Sequence, residues 1–128
     1  MDNLNQASIE THIEQTLSKT NCRKFLVAIS GGSDSMLLLN LINQVKHKYS
    51  YSIRAIHINH NFAKNSEKME RLCINFCKNE GIDLITRSIN LSQTTNIEEH
   101  LRNKRYELIF KSMLSNEALL LGHHLDDK

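Results

Sequence analysis

Lys24-Phe25-Leu26-Val27-Ala28-Ile29-Ser30-Gly31-Gly32-Ser33-Asp34-Ser35-Met36-Leu37-Leu38-Leu39 is the stretch on which the fold of this 128-residue chain turns. The apolar run from Phe25 to Ile29 predicts a short strand over 24–30, stopped by Gly31-Gly32. The leucine-rich residues that follow predict a helix from Ser35 to about Lys48. Strand, glycine turn and helix in that order form the opening of a parallel α/β unit.

Outward from this unit the pattern repeats. Ile9, Ile13 and Leu17 mark one face of a helix predicted to begin near Ser8 as its cap. A second strand is predicted over Ser52 to Asn59, followed by a helix with Met69, Leu72, Cys73, Phe76 and Cys77 on one face and Gly81 at its end. A third strand is predicted over Ile82 to Ile89. Asn96 and Glu99 carry a capping-box spacing that opens a helix running to about Leu114. A fourth strand, Ala118 to Leu121, closes at Gly122. Parallel neighbours need crossover connections, so this alternation predicts a doubly wound, mostly parallel sheet with helices on both faces. The expected division is a lead-in with its helix at 1–23 and a nucleotide-binding domain at 24–128. In such sheets ligands bind beyond the carboxyl ends of the strands.

Composition narrows the function without naming it. With 40% hydrophobic residues the chain can bury one core, and its net charge of +2 does not announce a nucleic-acid partner. Cys22, Cys73 and Cys77 lack CxxC spacing, and the last two, four apart on a helix, read as core rather than as metal ligands or a disulfide. No apolar run approaches the roughly 20 residues that span a bilayer, so a reduced, cytoplasmic protein is the expectation.

The chemistry concentrates in Ser30, Gly31, Gly32, Ser33, Asp34 and Ser35. Two glycines admit an anion close to backbone N–H groups, the following helix start adds free donors and positive dipole, and three hydroxyls add more. Phosphate is the natural guest. The loop is neither GxxxxGK[ST] nor GxGxxG, so neither a Walker-type NTPase nor a dinucleotide fold is indicated. Asp34 would repel a bound phosphate unless a cation lay between them, so it is expected to hold Mg²⁺. The competing reading makes Ser33, Asp34 and Ser35 ordinary helix-start residues.

A Ser-Gly-Gly-x-Asp-Ser run after an apolar strand resembles the signature of the PP-loop ATP pyrophosphatases, whose fold is adenine nucleotide α-hydrolase-like. The resemblance implies a loop that holds pyrophosphate and cleavage of ATP between its α and β phosphates. Two further segments resemble the tRNA(Ile)-lysidine synthase branch of that family. Gly122-His123-His124-Leu125-Asp126-Asp127-Lys128 matches its His-x-Asp-Asp-Gln run at His124, Asp126 and Asp127, with Lys128 in place of Gln. Asn96 to Tyr106 looks like its Ile-Glu-rich helix ending in Arg-x-x-Arg-Tyr, matching at Arg102, Arg105 and Tyr106. Ile56-His57-Ile58-Asn59-His60 resembles its second strand, although Asn61, Phe62 and Ala63 replace the usual Gly-Leu-Arg. For His57 and His60 two readings stay open, a functional one and one in which one of them fills a strand face and the other is a solvated strand end; neither is assigned a catalytic role.

The resemblance implies a carbon–nitrogen ligase that uses ATP and Mg²⁺ to adenylate an anticodon cytidine of isoleucine tRNA, which L-lysine then attacks. On that reading Asp34, His124, Asp126, Asp127 and Arg105 are the catalytic candidates, and Asp34 and Asp127 the magnesium ligands. Other outcomes stay open: a thiolating PP-loop enzyme, which would favour a paired CxxC, or a non-catalytic nucleotide-binding fragment. Because the chain stops just after Asp127, the expectation is a domain incomplete at its C-terminus and inactive alone, with an exposed sheet edge through which copies associate.

Overall fold

A computed structural model describes residues 6–61, 64–90 and 94–121. Their order is α1 (Gln6–Lys19), β1 (Lys24–Ala28), α2 (Ser33–Tyr49), β2 (Ser52–Asn59), α3 (Ser66–Glu80), β3 (Asp83–Ser88), α4 (Ile97–Ser112) and β4 (Glu117–Leu120). The four strands make one sheet in the order β3-β2-β1-β4, and every neighbouring pair is parallel. The fold is the expected doubly wound α/β sheet.

The topology follows from handedness. Travelling β1 to β2 to β3 moves in one direction across the sheet, and the crossovers α2 and α3 pack into one shared core. The next crossover returns past β2 and β1 to reach β4. Reversed travel with the same right-handed crossover places its helix on the opposite face. α4 accordingly packs Ile109 against Leu26 and Ile56, a cluster separate from the main core.

Alternation along each strand feeds the two faces. Phe25 and Val27 of β1 are paired in register with Ile53 and Ala55 of β2, and all four enter the main core with Leu39, Ile42, Val45, Cys73 and Cys77. Leu26 and Ala28 look the other way, toward α4. Ile13 and Leu17 of α1 are fully buried in the main core, so the lead-in helix is part of the packed unit.

Most predicted elements are present within a residue or two, but three details differ. Ser8 lies inside α1, which starts at Gln6, so it is not the cap; a helix end is the feature local sequence fixes least. α2 starts at Ser33, not Ser35, with Gly32 as its N-cap residue. Asn96 precedes α4 as predicted, yet its φ is 53° and it makes no side-chain cap bond. A capping oxygen reaches the first-turn N–H groups from an extended backbone, which a left-handed residue does not have. The capping box is therefore not formed. Gly81 behaves as expected, with φ at 70° and its N–H turned back onto the last turn of α3, while Ile82 N–H reaches Cys77 O at 2.8 Å.

A pair on the α4 side fastens the far edge. The Arg54 guanidinium of β2 donates to both carboxylate oxygens of Glu117 in β4 at 2.8 and 2.7 Å, and to Ser112 O at 2.9 Å. Glu117 also accepts from Leu114 N–H at 2.8 Å. Burial pushes the Glu117 carboxyl up, but the bonds from Arg54 and Leu114 outweigh it and hold the group below its ordinary range.

Candidate functional site

Doubly wound sheets open a crevice where the strand order reverses, here at the carboxyl ends of β1 and its neighbours. A cleft of about 580 Å³ lies there. Its floor is the end of β1 and β2, one wall is Ser35 and Leu38 of α2 with Ser66 and Met69 of α3, and the other is Glu98, Arg102, Arg105 and Tyr106 of α4. The two sheet faces thus meet at one site.

The loop between β1 and α2 is shaped by its own hydroxyls. Ser35 Oγ accepts from Ser30 N–H at 3.0 Å, and Ser30 Oγ accepts from Gly32 N–H at 3.3 Å. These bonds clasp the turn and leave the start of α2 open, since Gly32 supplies no side-chain cap. The first N–H groups of α2, at Ser33, Asp34 and Ser35, have no acceptor within the helix and offer an anion site. Gly31 is required here: its φ is +92°, and a Cβ would stand 2.8 Å from Met69 O of α3. Among the described residues, a Cβ added at Gly32 would meet only Ser30 Oγ, at 3.6 Å. That is where a ligand can approach backbone.

The predicted residues distribute unevenly. Ser30 and Ser35 line the cleft, whereas Gly31, Gly32, Ser33 and Asp34 are not among its lining residues, the last two standing on the first turn of α2. Arg102, Arg105 and Tyr106 come together on the opposite wall, with the two guanidinium carbons 6.0 and 5.9 Å from the Tyr106 ring centroid. Three-residue spacing puts both cations on one helical face, as expected. His124, Asp126 and Asp127 lie outside the described residues. Among the described residues, no group of three or more His, Cys, Asp or Glu side chains is placed to hold a metal ion. Asp34 is the acidic residue in the first turn of α2, and Glu98 of α4 is a carboxylate that lines the cleft.

Of the two histidines, His57 is the one that fills a strand face; it is buried, with Nδ1 3.0 Å from Ile29 O. His60 lines the cleft at the end of β2. Asn61, standing where the resemblance calls for Gly, has φ at 65°, a conformation that Asn shares with Gly. Its N–H donates to Asn59 Oδ1 at 2.9 Å, and Asn59 Nδ2 donates to Glu70 at 3.1 Å, tying the end of β2 to α3. Cys73 and Cys77 are core thiols. Burial pushes them up to about 12 and about 11, so neither is a thiolate near neutral pH.

Sequence reasoning missed Met69 and the Arg54–Glu117 pair. In the sequence Met69 reads as part of an apolar helix face, and nothing local shows that its backbone carbonyl would back the phosphate loop. Arg54 and Glu117 are 63 residues apart, and no local spacing links them.

Comparison with known proteins agrees with this geometry. The PP-loop domain model matches residues 5–128. A tRNA(Ile)-lysidine synthase from Buchnera aphidicola is 44% identical over 117 residues, covering 91% of this chain and 27% of that protein. A protein of the same name from Haemophilus influenzae is 36% identical over 120 residues, covering 91% of this chain and 28% of its own length. The chain thus spans about a quarter of the length of these relatives. A U34-tRNA thiolase structure from Methanococcus maripaludis superposes with a TM-score of 0.68 at 20% identity, covering 91% of this chain and 45% of that one, a likeness of fold. With its loop, its topology and a family match over nearly its whole length in accord, the chain belongs to the PP-loop domain family.

Proposed function

We propose that this chain is the ATP-binding part of a tRNA(Ile)-lysidine synthase, a ligase that forms a carbon–nitrogen bond in the anticodon of isoleucine tRNA. The observation that carries the reading is the cleft that Ser30 and Ser35 of the phosphate loop line together with Arg102, Arg105 and Tyr106. Donors on the loop wall and cations on the α4 wall suit a polyphosphate, and the apolar floor of Ile56 and Ile58 suits a nucleobase.

In this reading ATP supplies the adenylyl group. The cytidine C2 oxygen attacks the α phosphorus and pyrophosphate leaves; the lysine amine then attacks C2 and AMP leaves. The residues Ser30, Gly31, Gly32, Ser33 and Ser35 hold the departing pyrophosphate, and Arg105 offsets charge developing on phosphate. Asp34 holds Mg²⁺, with Asp127 as its partner ligand, and His124 and Asp126 complete the site. Hard oxygen donors beside phosphate fit Mg²⁺, and Asp34 meets that condition on the first turn of α2. The protein acts in the cytoplasm, where its tRNA is. Among the described residues, no helix is long and apolar enough to cross a membrane. A thiolating role is less favoured, because the thiols on α3 are buried and protonated.

The test incubates the protein with ATP, Mg²⁺, labelled lysine and unmodified isoleucine tRNA. Label in the tRNA with one AMP and one pyrophosphate released per lysine is the expected result. Release of AMP with no label incorporated would refute the assignment.

A further inference from the structure

The buried imidazole of His57 sits between two partners that ask opposite things of it. Its Nδ1 is 3.0 Å from Ile29 O and 3.6 Å from Cys73 Sγ. A carbonyl oxygen can only accept, so the shorter contact requires the proton on Nδ1. A thiol donating to the same nitrogen would require it bare. The oxygen contact is shorter and stronger, and the Cys73 thiol, at 0% exposure, packs against the ring as a second, weak acceptor.

The carbonyl that His57 holds is the last one before the phosphate loop. β1 ends at Ala28, Ile29 N–H still pairs with Ile56 O at 2.9 Å, and the chain then turns into Ser30 and Gly31. The peptide group whose oxygen faces His57 is the one whose nitrogen is Ser30 N–H, the donor that Ser35 Oγ clasps. A peptide group is planar, so fixing its oxygen fixes its N–H. We propose that His57 is a positioning residue for the phosphate loop: its Nδ1–H sets the Ile29–Ser30 peptide plane, and through the Ser30–Ser35 clasp the donors at the start of α2. The inference rests on reading Ser30 to Ser35 as a phosphate loop. It assigns His57 no contact with substrate.

Two measurements on the full chain test it. Nitrogen NMR of the imidazole at pH 8 should find the proton on Nδ1, although a free neutral histidine prefers Nε2; a bare Nδ1 would overturn the proposal. Asparagine places an amide N–H close to the position of Nδ1, whereas leucine fills the space without a donor. His57→Leu should move the Ser30, Gly31 and Ser35 amide resonances and weaken Mg²⁺-ATP binding about tenfold, as leaving a buried carbonyl unpaired implies. His57→Asn should restore both to near the parent. Loop resonances unmoved by leucine, or equal weakening by asparagine and leucine, would sink it. If His57→Leu does not fold, the tautomer and the asparagine variant decide alone. If the parent itself binds no ATP, the proposed function fails, and the tautomer and loop resonances still judge His57.

Discussion

Replacing Glu117 by glutamine should unfold this domain more readily than its position on a short edge strand suggests. The carboxylate is 2% exposed and its Arg54 partner 18%, so the pair is largely shielded from water. Glu117 accepts three bonds, two from Arg54 and one from Leu114 N–H. In the amide, one of the two positions facing Arg54 becomes a donor against a donor, and the guanidinium keeps its charge with no counter-ion. Breaking one side of a buried pair costs about 3 kcal/mol or more. For a domain of this size that corresponds to a fall in Tm of roughly 10 °C. The loss should depend on pH with a defined sign. Because Glu117 is held below its ordinary range, the pair contributes fully above the unfolded carboxylate value and fades as pH falls through the folded one. Thermal melts of Glu117→Gln and the parent, taken from pH 7 downward, should therefore converge in acid. Arg54→Met with Glu117→Leu should be less damaging than Glu117→Gln alone, since no uncompensated charge remains. A Glu117→Gln Tm within about 1 °C of the parent at pH 7 would refute the argument, because it would place the pair among surface bridges worth about 1 kcal/mol or less.

Other expectations concern the site. Gly31→Ala meets both a left-handed backbone and the Met69 carbonyl, and should lose about 2–4 kcal/mol in chemical denaturation, against a few tenths for Gly32→Ala; equal effects would undo the close-approach argument. Asp34→Asn should weaken ATP binding by calorimetry in Mg²⁺ and, with the repelling carboxylate gone, strengthen it without the metal. Unchanged binding in Mg²⁺ would reduce Asp34 to a helix-start residue. In the native chain at pH 8, thiol reagents should modify half-buried Cys22 first and leave Cys73 and Cys77 intact until unfolding.

Several features were legible in the residues alone. The apolar run at 25–29 and the apolar residues Ile53, Ala55, Ile56 and Ile58 give parallel strands, and the αL glycine at 81 ends a helix wherever the chain is placed. Helix starts were less legible. Ser33, Asp34 and Ser35 all carry capping side chains, and the start moved to Ser33 because Gly32, next to the Gly31 that packs on Met69, ends the turn earlier. Asn96 fits a capping box in every respect except its φ, which the entry of the chain into α4 decides.

By itself the sequence determined the alternation of strands and helices, the phosphate loop at the end of the first strand, and the helix that carries Arg102, Arg105 and Tyr106. Each is written in residues within one element or one turn, where spacing alone sets which side chains share a face. Only the tertiary structure decided that this helix crosses to the opposite face and brings Arg105 to the cleft beside the loop. It alone brought Glu117 to Arg54, Met69 O beneath Gly31, and His57 to the carbonyl before Ser30. The physical reason is common to all of them: crossover handedness and strand order bring these groups together across 28 or more residues of chain, and no local pattern encodes a distance of that kind.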